Sequence, residues 1–405
     1  MKKTNSKRTN PNPNACRPCA KTVTLGVTLL CAMLAGKLQA QSPCPGITPF
    51  AAGLLAPNKI IQTPRGNFIV TENGPPVPNN GRVSIVDQAG NRRTLLSGLP
   101  SARTFVGDFN GTTGAYLKGR TLYVLNGQGD VTLAGPVPGT EQPNPSPSSP
   151  IFSSVLAIHF SAAMEATTTG VALSLADHQA LKSGQTLTRF DSEGGKMTIQ
   201  LIADFPDYVA EPRPNFAGNV RHAHPYGVVA DETSLYIVDA GFNKVRKLNL
   251  DSGVEETLTS FPPTPNPQFP AGPPVIENVP TSIRWNGDQL LVTLLAGAPF
   301  LSGLSQVRQV DPVTGANIGI ISGLTAAIDV TPLTSEPGGY LTLEFNLNFP
   351  APGLGRLHYF AAPGGSPVVL ANCLTTSSSM VWDRKGDRLI IAELATGRLV
   401  RFELP

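Results

Sequence analysis

Six short β-prone runs recur along this chain, and their spacing constrains the fold more than any other feature. They are Phe68-Ile69-Val70, Leu122-Tyr123-Val124, Leu235-Tyr236-Ile237-Val238, Leu290-Leu291-Val292, Tyr340-Leu341-Thr342-Leu343 and Leu389-Ile390-Ile391. Four places after each run begins stand Glu72, Asn126, Asp239, Leu294, Glu344 and Glu393, separated by 54, 113, 55, 50 and 49 positions. A beat of about 50 residues marks a repeat architecture.

The best-formed repeat has an inner strand after Pro225, a second at Leu235, a third at Lys244 and an outer one at Glu256, with Gly241 and Gly253 in its turns. One such sheet cannot bury both of its faces, whereas sheets stacked radially around an axis can. The same order recurs from Pro57, Pro280, Ala327 and Ser379. The last unit stops after its third strand, and residues 47–52 have the character of the missing outer strand. The expected fold is an all-β, six-bladed β-propeller of four-stranded antiparallel blades, its ring closed by the N-terminal strand joining the C-terminal blade. Closure removes the exposed sheet edges that invite aggregation.

The 113-residue interval contains one match to third and outer strands, at residues 187–191 and 199–205. It therefore reads as one blade carrying an insertion at about 128–186, with a seventh blade as the alternative. The insertion opens on a proline-rich stretch, 136–150, unable to hold regular pairing. Strand-like residues 155–160 and 171–175 and a helical turn near 177–181 follow. A second proline-rich loop, 262–274, falls between the third and fourth blades.

Residues 1–40 carry seven basic side chains and no acid, and an uncharged stretch from Thr22 to Gly36 follows the basic lead, as in a secretory signal peptide. The mature chain is then an exported single domain, periplasmic or extracellular. Cys31 follows Leu30, not the small residue that lipidation wants. With seven of the 31 basic residues removed, 24 remain against 28 acids, a net charge of −4. No basic stripe is left for nucleic acid, and no later segment is long enough to span a membrane. A monomer is expected. Cys16, Cys19 and Cys31 leave with the signal, so Cys44 and Cys373 remain as a candidate disulfide. Strand geometry disfavours that bridge: the two cysteines fall at opposite ends of neighbouring outer strands, roughly 20 Å apart at ~3.3 Å per residue, where a disulfide needs Cα atoms within about 7 Å.

Candidate chemistry is sparse. His222 and His224 alternate along an extended segment, put both imidazoles on one side and precede an inner strand, so with Tyr226 they should face a channel mouth as ligand-binding candidates. Glu72, Asp239, Glu344 and Glu393, with Asn126, form a ring of acidic or amide groups just beyond the second strands. They are candidate metal ligands, or else acceptors for backbone amides in their own turns. Asp108-Phe109-Asn110-Gly111-Thr112 has alternating oxygen ligands but lacks the later acid of a calcium loop, so a capped turn explains it. Trp285 and Trp382 hold similar blade positions, with core packing expected for both. Nucleophile elbow, P-loop and dinucleotide fingerprint are all missing from the sequence.

The run from Ile237 to Leu248 resembles the core of NHL repeats. The longer order of Ile202-Ala203-Asp204-Phe205, His224-Pro225-Tyr226-Gly227-Val228 and Val238-Asp239-Ala240-Gly241 resembles the ScyD/ScyE family, exported bacterial propellers named for genes in scytonemin biosynthesis. His222 and His224 stand where acidic or polar residues are expected in that family. The resemblance implies a fold and a location, and transfers no catalytic residue. Related six-bladed propellers similar to the SMP-30/gluconolactonase group hold calcium where inner strands enter the channel. The matching positions here are Asn58, Thr112 or Thr113, Tyr226, Thr281, Ala327 and Ser379, of which Asn58 alone is a convincing ligand type. The leading expectation is therefore a binding or accessory protein for an unidentified small molecule or protein, without a required cofactor. A metal-dependent lactonase or hydrolase, with calcium as its ion, and a scaffold for protein partners are the alternatives.

Overall fold

The computed structural model describes residues 44–334, 338–351 and 353–404; the expected signal segment lies outside them. Six antiparallel sheets stand radially around one axis, and their inner strands make a closed circle in chain order. Blade 1 runs inner to outer through Pro57–Gln62, Phe68–Glu72, Gly81–Val86 and Arg92–Leu99. Blades 3, 4 and 5 repeat this with inner strands Pro225–Ala230, Asn278–Asn286 and Ala327–Pro332. Blade 6 comprises Ser377–Asp383, Arg388–Glu393 and Arg398–Phe402, completed by Ile47–Ala51. In that closing pair Ile47 lies opposite Phe402 and Ala51 opposite Leu399.

Side chains alternate between the two faces of a strand, and here each face meets a neighbouring blade. Phe68 and Val70 enter the core shared with blade 6, while Ile69 between them enters the core shared with blade 2. The apolar residues fall into six main inter-blade cores, one at each junction of the ring. Second strands are thus buried on both sides, which is why they read as unbroken apolar runs. Near the axis the strands crowd together. A Cβ on Gly114 would lie 2.4 Å from the Tyr226 carbonyl oxygen, so only glycine fits there.

Blade 2 departs from the sequence expectation. Its order is Thr112–Lys118, Thr121–Asn126, Ser154–Phe160, Lys196–Asp204 and, outermost, Leu187–Phe190. The third strand is therefore the segment around Val155, and the Leu187 segment is a fifth strand beyond the fourth. Added chain enters as two pieces, 127–153 and 161–195. The second piece places Val171–Ala172 parallel to the outer edge of blade 1, so it covers that edge. It also buries Glu165, which accepts from Thr63 (2.6 Å), Asn67 (3.3 Å) and Arg120. Its second helix, Leu175–Lys182, starts from a capping box of Ser174 and Asp177.

Cys44 and Cys373 are joined in a disulfide with Cα atoms 6.0 Å apart, which corrects the expectation from strand geometry. That expectation extended the tail straight beyond the closing strand. Instead the chain turns at Cys44: the Ile47 amide donates to the Cys44 carbonyl (3.0 Å), and Gly46 takes φ +76°. The turn brings Cys44 onto the core shared by blades 5 and 6. No helix among the described residues is long and apolar enough to cross a membrane.

Candidate functional site

Every inner strand carries a register shift near its start, opposite the end of its second strand. The shift aligns the channel positions as Asn58, Thr113, Tyr226, Thr281, Ile328 and Ser378. Ala327 and Ser379, expected there in blades 5 and 6, each stand one place off. One residue further on lie Lys59, Gly114, Gly227, Ser282, Asp329 and Ser379, and this level forms the waist of the channel.

The mouth at the strand starts is filled by the protein itself. Connections above it form two-stranded ribbons, among them Ala102–Arg103 with Phe109–Asn110, Thr132–Ala134 with Glu141–Pro143, and Tyr208–Ala210 with Val220–His222. His222 Nδ1 meets Glu141 Oε2 at 2.7 Å, joining two ribbons, and its ring packs 5.5 Å from Phe105 on the third. His224 Nε2 contacts the Asn110 amide at 3.2 Å, and its ring stands 5.5 Å edge-on to Tyr226. Burial, with the His222 charge adding to it, drives the His224 imidazole down to about 3, so the ring is neutral at ordinary pH. Tyr226 reaches from blade 3 across the channel to the core of blades 5 and 6. Its phenol is pushed up to about 12 by burial and by the charges of Asp329 and Asp108. Asn58 is consumed by Asn73 Oδ1 (2.7 Å) and the Thr112 carbonyl (2.8 Å). The structure thus brings His222, His224 and Tyr226 together as a packed column, and Asp108–Asn110 serves as part of a ribbon.

Glu72, Asp239, Glu344 and Glu393 stay apart, each working inside its own blade. Each accepts an amide of the chain entering its inner strand: Leu55 onto Glu72, His224 onto Asp239 (2.9 Å), Thr325 onto Glu344 and Thr375 onto Glu393 (2.7 Å). Each also meets a basic side chain of the third strand, namely Arg82, Arg246, His358 and Arg398 respectively. Asn126 substitutes an amide that donates to Ser154 Oγ (3.0 Å). The repeated residue is a rivet between linker and third strand. Among the described residues no three metal-capable His, Cys, Asp or Glu side chains converge.

Sequence reasoning missed the waist. Asp329 is fully buried and gathers Arg284 Nη2 (2.6 Å), Ser379 Oγ (3.0 Å), the Met380 amide (3.0 Å) and Lys59 Nζ (3.2 Å). These contacts hold its carboxyl well below the usual carboxylate range, the two cations outweighing the burial that opposes them. Lys59 is drawn down to about 8, because burial and Arg284 outweigh the attraction of Asp329. Two cations and one anion from blades 1, 4 and 5 leave this waist one positive charge in excess. The signal was present: Lys59, Arg284 and Asp329 lie inside their inner strands, whereas Lys118 and Asp383, the other charged inner-strand residues, stand at strand ends.

Below the waist the opposite mouth is open. A funnel of about 1040 Å³ is lined by the final residues of all six inner strands and by the turns that follow them. Trp285 and Trp382 occupy matching positions in its wall, opposite Leu290 and Leu389 of their second strands, and both are half-buried. Trp285 packs edge-on to Tyr236 and donates to the Ala230 carbonyl (3.0 Å), so it joins a core and also lines the cavity. The core-packing expectation for the two tryptophans covers only part of their role. Arg284 forms the floor, while Arg65, Arg384 and Lys385 stand on the rim.

Fold and channel together define a closed six-bladed propeller with one mouth filled and the other open. No family model matches the chain, and no curated protein is similar to it in sequence. Solved structures show a distant similarity to it. A gluconolactonase from Xanthomonas campestris is 11% identical with 89% of each chain covered and a TM-score of 0.48. An auxiliary nutrient binding protein from Bacteroides thetaiotaomicron is 8% identical over 88% of this chain and 75% of its own, with a TM-score of 0.49. The soluble aldose sugar dehydrogenase of Escherichia coli in its apo-form is 10% identical over 88% and 98%, with a TM-score of 0.47.

Proposed function

We propose that this chain is an exported binding or accessory protein whose small-molecule ligand occupies the funnel at the ends of the inner strands. The observation that carries the reading is the contrast between the two mouths. His222, His224, Tyr226 and Asn58 are spent on internal contacts, whereas the other mouth opens as a cavity of about 1040 Å³, at the upper limit of the size range of small-molecule sites. Export is supported by the basic and apolar leader of the sequence and by the disulfide, which belongs in an oxidising compartment. The repeat resemblance to the ScyD/ScyE family fits the same role.

The test is a thermal-shift screen of the mature protein with small metabolites, repeated on Thr331→Phe and His222→Ala. Thr331 lines the funnel, and a phenyl ring there narrows it. Ligand stabilisation follows RT ln(1 + [L]/Kd). It should survive in His222→Ala and vanish in Thr331→Phe, and the opposite pattern would move the site to the histidine mouth.

A further inference from the structure

Three features of the funnel point to one kind of ligand. First, its described lining contains four basic side chains and no carboxylate. Arg65, Arg384 and Lys385 make no ion pair among the described residues; Glu336 lies outside those residues. Second, Arg284 spends Nε and Nη2 on Asp329 and Nη2 also on the Met380 carbonyl (2.8 Å), but its Nη1 has no protein partner. That nitrogen is not among the buried unpaired atoms, so its two N–H donors face open space at the floor of the cavity. Third, the wall above it offers the aromatic surfaces of Trp285, Trp382 and Tyr116.

We propose that the funnel takes a small organic anion bearing a flat ring, its carboxylate or phosphate oxygens on Arg284 Nη1 and its ring on the tryptophan wall. The claim rests on the reading of the funnel as the ligand site. A charged donor aimed into a half-desolvated cavity gains most from an ionised acceptor, and an exposed aromatic wall gains from a flat partner. The excess positive charge of Lys59, Arg284 and Asp329 lies directly beneath and has no compensating anion among the described residues. Rim cations add an attraction that salt screens.

The chain has two tryptophans, and both line the funnel, so intrinsic fluorescence reports on this cavity without a label. The mature protein is titrated with benzoate, phenyl phosphate and the neutral benzyl alcohol, with calorimetry in parallel. At least one of the two anions should change the emission saturably and bind at least tenfold tighter than benzyl alcohol. Their ratio tells carboxylate from phosphate. The double variant Arg384→Ala, Lys385→Ala should weaken anion binding about three- to tenfold and flatten its salt dependence. Lys59→Met, which removes the excess charge from beneath, should weaken it without affecting benzyl alcohol. Benzyl alcohol binding as tightly as the anions, in a manner that Thr331→Phe abolishes, would overturn the anion assignment and keep the funnel. Anions that bind by calorimetry but leave the emission unchanged would overturn both. No binding of either anion at millimolar concentration would reject the assignment.

Discussion

Asp329 should be far less replaceable than the lysine it pairs with. Its carboxylate is 0% exposed and bridges Lys59 of blade 1 and Arg284 of blade 4, so Asp329→Asn leaves two cations facing each other in the waist with no anion between them. Removing one partner of a buried ionic group costs about 3–5 kcal/mol. Spread over ~360 ordered residues at about 2.1 cal/mol/K each, that lowers Tm by roughly 4–7 °C. Lys59→Met removes the surplus cation instead, and Asp329 keeps Arg284, Ser379 and the amides of Val330 and Met380. It should fall within about 1 kcal/mol of the parent. The lysine also sets a pH signature. Its pKa is lower folded than unfolded, so between about 8 and about 10.4 the unfolded chain holds the extra proton and stability rises with pH. The slope from this one group is at most about 1.4 kcal/mol per pH unit, and it should be missing in Lys59→Met. Urea titrations of the three proteins across pH 7–10.5 provide the measurement. Equal losses for Asp329→Asn and Lys59→Met would refute the idea that excess charge governs the waist.

Other expectations follow from the same structure. Cys44→Ala, or reduction under native conditions, should lower Tm by several degrees, because the bridge closes a sequence separation of 329 residues and the chain-entropy model sets ~6 kcal/mol as its upper bound; an unchanged Tm would mean the closing strand holds without its staple. His224 is neutral when folded down to about 3 while the unfolded residue titrates near ~6.5, so its contribution to stability is lost as pH falls through that window, and His224→Gln should flatten the acid limb of the curve. An NMR titration showing its ring protonating near pH 6 in the folded protein would contradict this. Asp207 is raised to about 6 by burial first and the Asp204 charge second, so it disfavours the folded state above that pH. Asp207→Asn should raise Tm at pH 8 more than at pH 5.

The six-bladed ring was legible because one physical demand recurs at each blade. A second strand buried on both faces must be apolar, and the linker amide arriving at its end needs an acceptor, hence Glu72, Asp239, Glu344 and Glu393 at one phase. Blade 2 misled because the Val155 and Leu187 segments are both good strands, and local propensity cannot rank third against fifth. Pairing of Cys44 with Cys373 was hidden by a single reversal at Cys44–Ile47 that strand arithmetic ignores. Asp329 and Lys59 are 270 positions apart and meet only because the ring closes, so no local pattern announces them. The funnel was hidden for the same reason: its lining is two or three residues from each of six strands.

The Cys44–Cys373 bridge also decides what a mechanical load can do. Pulled at its two ends, the chain is held between the cysteines, and tension falls on the segment after Cys373. The first event is the peeling of Arg398–Phe402 from the closing strand, begun at the Ile47–Phe402 end where both are loaded, after which the rest of the sixth blade can unravel. Extension then halts at ~100 Å, the reach of about 31 residues, with five blades still shielded behind the covalent loop. A reduced molecule has no such stop and can unspool blade after blade.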